Sequence, residues 1–430
     1  MRSLVLFFEL SSSLEKFERH GLLRRNLMPY EKFLDSGAFN EVYVYSSDDR
    51  DRAKLAQLKR DQGVSDRIRV LTPPRFLRSR IGAIIYSLVG PFMHRKVLSA
   101  ADVLKTHQVS GSWTPLIAKL LYGKPLLFRV GYPLSIRFKA EGKAIKYALA
   151  RLVEKLLVHY SDHVAVSSQT MQRYYSDLSK DAKVTVLPSY VDVSGFKPVT
   201  DYDARRPILF IGRLDPVKNL DNLIRACARV GMPLHIYGGG PLEGQLKELA
   251  HACGAAVEFK GVVPNAELAR VHHDHTIYVL CSTREGMPKA LIEAMASGLI
   301  CVGSRTDGNL ELIEEGRTGY LIDGYDADAI EAKLRWVMAS FDPEVGRRAS
   351  ALVRKNNSLE HANNLELAIL EDILASRRPP NDRSFSKSAD DSLGSPGRSV
   401  NPAAPPQLNH SLSIRNLPDR TLCSTPREGK

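Results

Sequence analysis

Short apolar runs rich in β-branched and aromatic residues recur along the first 190 positions: SLVLFF (3–8), EVYVY (41–45), RIRVL (67–71), DVLKT (102–106), PLLFRV (125–130), HVAVS (163–167) and VTVLP (184–188). Each has the length and composition of a strand. Between them lie longer stretches, such as Leu10 to Leu34, whose apolar residues are spaced as on one face of a helix. The series pauses in the polar stretch 191–206 and then restarts. PILFIGR (207–213), PLHIYG (233–238), AVEFKG (256–261), TIYVLCS (276–282) and LICVGS (299–304) read as strands. NLDNLIRACARV (219–230) and GPLEGQLKELAHACG (240–254) read as helices, the second stopped by its glycine. Alternation of this kind predicts parallel sheets covered by helices on both faces. The chain is therefore expected to be α/β, with one unit over 1–195 and a second over 196–376. The last predicted helix, 359–376, returns at the end of the second unit. The remainder, 377–430, is rich in Ser, Pro and charge with little to bury, and reads as a disordered tail.

Composition narrows this picture. At 430 residues the chain exceeds one ordinary core, and 43% hydrophobic with 25% charged residues describes a globular protein. Charge is unevenly spread. Residues 1–200 hold 32 Lys and Arg against 18 Asp and Glu, whereas residues 201–376 hold 19 against 25. The basic first half points to an anionic partner: nucleic acid, a phospholipid surface or a phosphate-bearing substrate. Five cysteines with no metal-like spacing point to a reducing, cytoplasmic setting. The start, MRSLVLFFEL, is too short for a signal peptide, and no run of about 18 apolar residues is present. The nearest to one is IGAIIYSLVGPFM (81–93), flanked by Arg75, Arg78, Arg80, Arg95 and Lys96.

Four strand-to-helix turns in the second unit carry candidate chemistry. In FIGRLDPVKNL (210–220), Arg213 and Lys218 lie beside a predicted helix start, where free amide groups and cations together suit a diphosphate. Taken alone, that segment reads better as an ordinary turn with solvated charges. IYGGGPLEG (236–244) places Gly239 and Gly240 where a ligand approaching the backbone needs small residues, although a tight turn would use them too. REGMPKALIEAMASG (284–298) predicts a helix from about Pro288 to Ser297, with Leu291, Ile292 and Met295 on its apolar face. Glu285 stands on the loop before it and Glu293 about one and a half turns inside. Helical side chains lean toward the N-terminus, so the two carboxylates converge near free amides. Acceptors for hydroxyls beside donors for phosphates suit a nucleotide sugar; a surface helix with two solvated glutamates is the alternative. SRTDGNLELI (304–313) repeats the strand, glycine turn and helix.

The order GRLDPVKN, IYGGGPL, EFKGVVPN, STREGMPKALIEAMASG and SRTDGNLELI resembles the retaining glycosyltransferases of family 4. The likeness runs from about Pro207 to Leu321 and includes that family's pair of glutamates eight positions apart, here Glu285 and Glu293. VTVLPSYVDVSGFKP (184–198) is similar to its inter-domain linker. The resemblance implies the GT-B fold, two Rossmann-like domains facing across a cleft, with a nucleoside-diphosphate sugar bound by the second domain and the acceptor by the first. It implies that Arg213 and Lys218 bind the diphosphate and stabilise the leaving group, Glu285 sits by the donor sugar, and Glu293 holds the ribose. Gly286, the backbone amides of Met287, Lys289 and Ala290, and the turn at Gly239 and Gly240 complete the donor site. It also implies transfer with retention, and no metal or other cofactor.

Two positions depart from the family pattern. ELSSSLEK (9–16) replaces a glycine-rich loop, and Gly131 stands where many members have a histidine. Arg129, close by, is a candidate substrate contact or a structural residue. A lipid-linked or glycan acceptor is expected, with peripheral contact to an anionic cytoplasmic membrane face through Ile81–Met93 and the basic stretch 142–157; ordinary core-facing helices are the alternative. Asp49/Asp51 and Asp201/Asp203 read as solvated charge. Adjacent histidines in HHDH (272–275) cannot all face one ion. No Walker-type phosphate loop is present, and no nucleic-acid module accompanies the basic half, so nucleic acid is not expected. An epimerase or hydrolase of the same fold, and a non-catalytic nucleotide-sugar-binding protein, are the competing functions.

Overall fold

A computed structural model of the chain describes residues 2–10, 12–19 and 23–376; the expected disordered tail lies outside the described residues. The apolar runs of the first half form β1 (Ser3–Phe7), β2 (Glu41–Tyr45), β3 (Ile68–Leu71), β4 (Val103–Thr106), β5 (Leu126–Val130), β6 (His163–Val166) and β7 (Val184–Val186). They make one parallel sheet in the order β3-β2-β1-β4-β5-β6-β7. The second series gives β8 (Ile208–Ile211), β9 (Leu234–Tyr237), β10 (Val257–Gly261), β11 (Ile277–Leu280), β12 (Ile300–Ser304) and β13 (Tyr320–Ile322). These form a second parallel sheet, β10-β9-β8-β11-β12-β13. The periodicity reading missed β13, whose three residues are too few to show a period.

In both sheets the strand order reverses beside the first strand, between β1 and β4 and between β8 and β11. Loops leaving the two strands of such a pair diverge to opposite faces and leave a crevice at the strand ends, where ligands of open α/β sheets bind.

The first sheet has apolar layers on both faces. Leu4, Leu6, Val42 and Val44 pack on one side, and Val5, Phe7, Leu104 and Phe128 on the other. Helix Leu359–Ala375 follows the second unit in sequence but buries Leu359, Ala362, Ile369, Leu370 and Ile373 in the first unit's core. Conversely, Phe196 and Val199 pack in the second core. The two crossing segments meet where Val191 N donates to Asn357 O (3.0 Å) and Leu359 N donates to Val191 O (3.0 Å).

The helix expected over Leu10 to Leu34 is two, Leu14–Arg19 and Leu23–Asp35. The buried Asp51 carboxylate sets the first start by accepting from Leu14 N (2.7 Å) and Glu15 N (3.3 Å), a cap supplied from 36 residues away. Asp51 is therefore a structural anchor, not the solvated charge its sequence context suggests. Asp49 pairs with Arg78 at 2.6 Å, Asp201 with Arg206 at 2.5 Å, and Asp203 with Arg205 at 3.4 Å.

Candidate active site

The crevice of the second sheet lies between the loops that follow β8 and β11. After β8 the chain runs through Gly212 and Arg213 to a 3-10 turn, Pro216–Lys218, and then Asn219 starts helix Leu220–Val230. Asn219 has φ 55°, a left-handed conformation that its short amide side chain tolerates. Its Nδ2 donates to Cys281 O (3.2 Å) and Tyr325 O (2.6 Å), and Thr283 N donates to Val217 O (2.8 Å). These bonds tie the first loop to the end of β11. They bring Lys218 Nζ to 2.5 Å from Glu285 Oε1, with side chains only 18% and 12% exposed. The two residues assigned to different parts of a donor therefore form an ion pair with each other. Arg213, paired to Asp215 at 2.5 Å, is 83% exposed and faces solvent.

The glycine turn after β9 packs beneath the same loop. A Cβ on Gly238, at φ 140°, would stand 1.8 Å from Gly212 O, and one on Gly240 would stand 2.4 Å from Leu214 O. Leu214 N donates to Gly239 O (3.1 Å), and Leu242 N donates to Leu214 O (3.2 Å). The glycines at 238 and 240 are needed first to let two backbones touch, which holds the loop of Arg213 and Lys218 in place.

Helix Lys289–Ala296 follows Pro288 and ends before Gly298, whose φ of 74° permits the stop. It is buried over nearly all its surface, including Glu293 at 4% exposure. The solvated-helix alternative therefore fails. Tyr278 is fully buried on β11: burial raises its phenol well above the usual range, and the negative charges of Glu285 and Glu293 add to that. Gly308 supports the loop from below. Its N donates to Glu285 O (3.2 Å), and a Cβ there would meet Gly286 O at 2.4 Å.

The first unit supplies the opposite wall from the ends of β4, β5, β6 and β7. Gly131, just past β5, accepts from Ser167 Oγ (2.7 Å) through its O and donates to Gln108 Oε1 (3.3 Å) through its N. A Cβ at 131 would lie 3.2 Å from Gln108 Nε2, so the Gln108 amide occupies the space a larger residue would need. Gly286 faces Tyr132 closely enough that a Cβ at 286 would lie 3.2 Å from the tyrosine ring. Beside them a small cavity of about 70 Å³ is bounded by His107, Gln108, Arg129, Ser167, Tyr190 and Lys289, among others. The Tyr190 ring has Arg129 at 5.6 Å and Lys289 at 5.3 Å from its centroid, so a cation from each unit meets one aromatic ring. Beneath, buried Lys105 contacts Glu366 and donates to Tyr30 Oη (2.7 Å), with Arg129 4.0 Å from Glu366. Burial pushes the Lys105 ammonium down to about 8 against the opposing pull of Glu366. Two cations share one carboxylate, and this wall carries positive charge.

Thus Lys218, Glu285, Gly286, Met287, Lys289, Ala290 and Glu293 come together around one crevice, with Arg213 at its open side and the turn at Gly239 and Gly240 behind. Sequence reasoning missed Gln108, Tyr132, Tyr190, Tyr278 and Asn219. Only Asn219 carried a signal, being a residue that favours turns directly before a helical pattern. Among the described residues no group of three or more His, Cys, Asp or Glu side chains is placed to hold a metal ion. His272 and His275 instead donate through Nδ1 to Leu268 O and Val271 O, each at 2.7 Å.

Two parallel α/β sheets, each with a switch-point crevice, make the GT-B architecture found in glycosyltransferases. The family model for glycosyl transferases group 1 matches residues 196–345. A GDP-mannose-dependent alpha-(1-6)-phosphatidylinositol monomannoside mannosyltransferase of Mycolicibacterium smegmatis is 31% identical over 274 residues, 57% of this chain and 70% of that protein. The alpha-maltose-1-phosphate synthase of the same organism is 28% identical over 58% of this chain and 72% of that protein. The structure of sucrose-phosphate synthase from Thermosynechococcus elongatus superposes with a TM-score of 0.68 at 18% identity, over 87% of this chain and all of that one. The chain belongs to the glycosyl transferases group 1 family.

Proposed function

We propose that the protein moves a sugar from a nucleoside-diphosphate sugar to a lipid-linked or glycan acceptor, with retention at the anomeric carbon, in the assembly of a surface polysaccharide or glycolipid. The observation that carries this reading is the Lys218–Glu285 pair beside the start of helix Lys289–Ala296. Lys218 and Arg213 would take the diphosphate, with the amides of Met287, on the loop before the helix, and of Lys289 and Ala290 in its first turn, where amides lack intrahelical partners. Glu293 would accept from the ribose hydroxyls and Glu285 from the sugar. The anomeric C–O bond to the β-phosphate breaks, the acceptor oxygen bonds to that carbon on the same face, and the leaving diphosphate takes the acceptor's proton. Cationic side chains and helix amides neutralise the charge that develops, so the reaction is proposed to need no metal.

The acceptor would meet the wall of Arg129, Tyr190 and Lys289. Its positive charge suits an acceptor that carries phosphate, as a lipid-linked intermediate does. Incubation with UDP-, GDP- and ADP-sugars, with and without lipid-phosphate acceptors, tests the reading, and NMR of the product reports the anomeric configuration. Donor consumption that is complete without acceptor would show a hydrolase or epimerase. Donor binding without turnover would show a binding protein.

A further inference from the structure

Helix Arg80–Met93 packs with its polarity reversed. The side toward the sheet is Gly82, Tyr86, Ser87, Gly90 and Pro91, whereas Ile81, Ile84, Ile85, Leu88, Val89 and Phe92 face out, with Ile81 71% and Phe92 57% exposed. A helix on a water-facing surface normally turns its apolar stripe inward. Contacts and hydrogen bonds on its small-residue face hold this one the other way. A Cβ on Gly90 would lie 1.7 Å from Tyr45 Oη on β2, so the helix sits directly against the sheet there, and one on Gly82 would lie 2.4 Å from Leu77 O in the turn that leads into the helix. Polar bonds fix the same orientation: Tyr45 Oη donates to Tyr86 O (3.0 Å), Trp113 Nε1 to Ser87 Oγ (2.9 Å), and Thr114 Oγ1 to Ser87 O (2.7 Å).

Helix Ala144–Tyr160 repeats the pattern. Glu154 is fully buried and accepts from Ser135 N (3.0 Å) and Ser135 Oγ (2.6 Å), while Ile145, Leu149, Leu152 and Leu156 are exposed. Helix Trp113–Tyr122 touches both helices and exposes Leu120 and Leu121. Tyr86, Leu116 and Leu157 enter one core cluster, so the three helices form a single layer on one face of the first sheet. Their outer side therefore concentrates exposed apolar side chains on one layer of the molecule.

Charge identifies what covers it. Several cations of this region are buried or paired with carboxylates, as Lys105 with Glu366, Arg78 with Asp49 and Lys119 with Asp162, and the charge that matters here is on the exposed rim. Exposed Arg75 and Arg80 lie before the apolar stripe, and Arg95 and Lys96 after it. Long basic side chains at the rim of an apolar face bind anionic headgroups while the apolar residues enter the acyl boundary. A second copy of the same face would instead oppose these cations to one another. Among the described residues no helix is long and apolar enough to cross a membrane. We infer that the outer face of helices Arg80–Met93, Trp113–Tyr122 and Ala144–Tyr160 is an interfacial surface that docks the first unit on an anionic lipid bilayer. The inference goes beyond the transferase reading and does not depend on which sugar is moved.

The test is flotation of the full chain with vesicles of phosphatidylcholine alone and of phosphatidylcholine with 30% phosphatidylglycerol. The expected result is binding to the anionic vesicles at 100 mM salt, at least tenfold weaker on neutral ones. The exposed double variant Ile84→Asp, Leu88→Asp should lose that binding at least tenfold, with an unchanged melting temperature and unchanged nucleoside-diphosphate affinity. Arg80→Glu, Arg95→Glu should lose it in a salt-dependent way. Absence of binding to anionic vesicles, or equal binding by the Ile84→Asp, Leu88→Asp variant, overturns the proposal. So does sedimentation velocity showing a lipid-free dimer that this variant dissociates, because the face would then belong to a second copy.

Discussion

Lys218 Nζ lies 2.5 Å from Glu285 Oε1, joining a loop from β8 to a loop from β11 across the switch point of the second sheet. An arriving diphosphate must compete with Glu285 for that ammonium. Glu285→Gln is therefore expected to tighten nucleoside-diphosphate binding by about 3- to 10-fold, because Lys218 no longer leaves a carboxylate. Turnover should fall by about 100-fold or more through loss of a contact at the reacting sugar. Lys218→Ala should weaken both. Calorimetry on the single and double variants, read as a cycle, gives the coupling; independent effects would show that the pair does not govern donor entry.

Glu293 sits buried within helix Lys289–Ala296, away from the reacting bond in the proposed pose. Its removal should cost ground-state and transition-state binding alike. Glu293→Gln is expected to raise the donor KM about tenfold with kcat within about threefold. A large loss of kcat at constant KM would instead place this carboxylate at the chemistry.

At Gly131 the space for a side chain belongs to Gln108, whose amide nitrogen would stand 3.2 Å from a Cβ at that position. Gly131→His should destabilise the chain by about 1–3 kcal/mol through overpacking. Gln108→Ala in the same chain should recover a good part of that loss. Thermal melts of the two single variants and the double variant decide it; additive losses would place the strain elsewhere.

His272 and His275 are buried, and desolvation lowers each to about 4. In the unfolded chain they take up protons near pH 6.5. As pH falls from 6.5 toward 4 the unfolded state therefore binds protons that the folded state excludes, and stability drops. The neutral pair's contribution is intact above about pH 6.5 and is lost by about pH 4, on the order of 2–3 kcal/mol for each histidine. Urea midpoints between pH 7 and 4.5 measure the slope, and His272→Asn should flatten it. An unchanged slope in that variant would assign the acid sensitivity to other groups.

Much of the fold was legible because a strand buried on both faces must be a continuous apolar run, whatever it packs against. Among the described residues, twelve of thirteen strands stand out as short runs rich in β-branched and aromatic residues, the central ones buried on both faces and edge strands such as β7 and β10 only partly, and Tyr320–Ile322 was too short to register. The candidate donor site was legible for a related reason. Its parts lie at strand-to-helix turns, where local sequence sets glycines, caps and helix starts, so the residues from Arg213 to Glu293 could be gathered from motif order.

Long-range placement was not legible, because contacts between distant segments leave no local period. Nothing near Asp51 announces that it caps a helix starting at Leu14, and nothing in the final helix announces that Glu366 meets Lys105 in the first unit. The same holds at the cleft, where Tyr190 meets Arg129 from the first unit and Lys289 from the second, and Gln108 fills the space beside Gly131. Helix Arg80–Met93 shows the division most sharply. Its sequence determined that one stripe is apolar, but the close approach of Gly90 to the Tyr45 side chain and the hydrogen bonds at Tyr86 and Ser87 turn the opposite face toward the sheet, so the stripe faces outward. A contact between a helix and a strand some forty residues away leaves no trace in the local pattern, so only the packed structure shows which way the stripe faces.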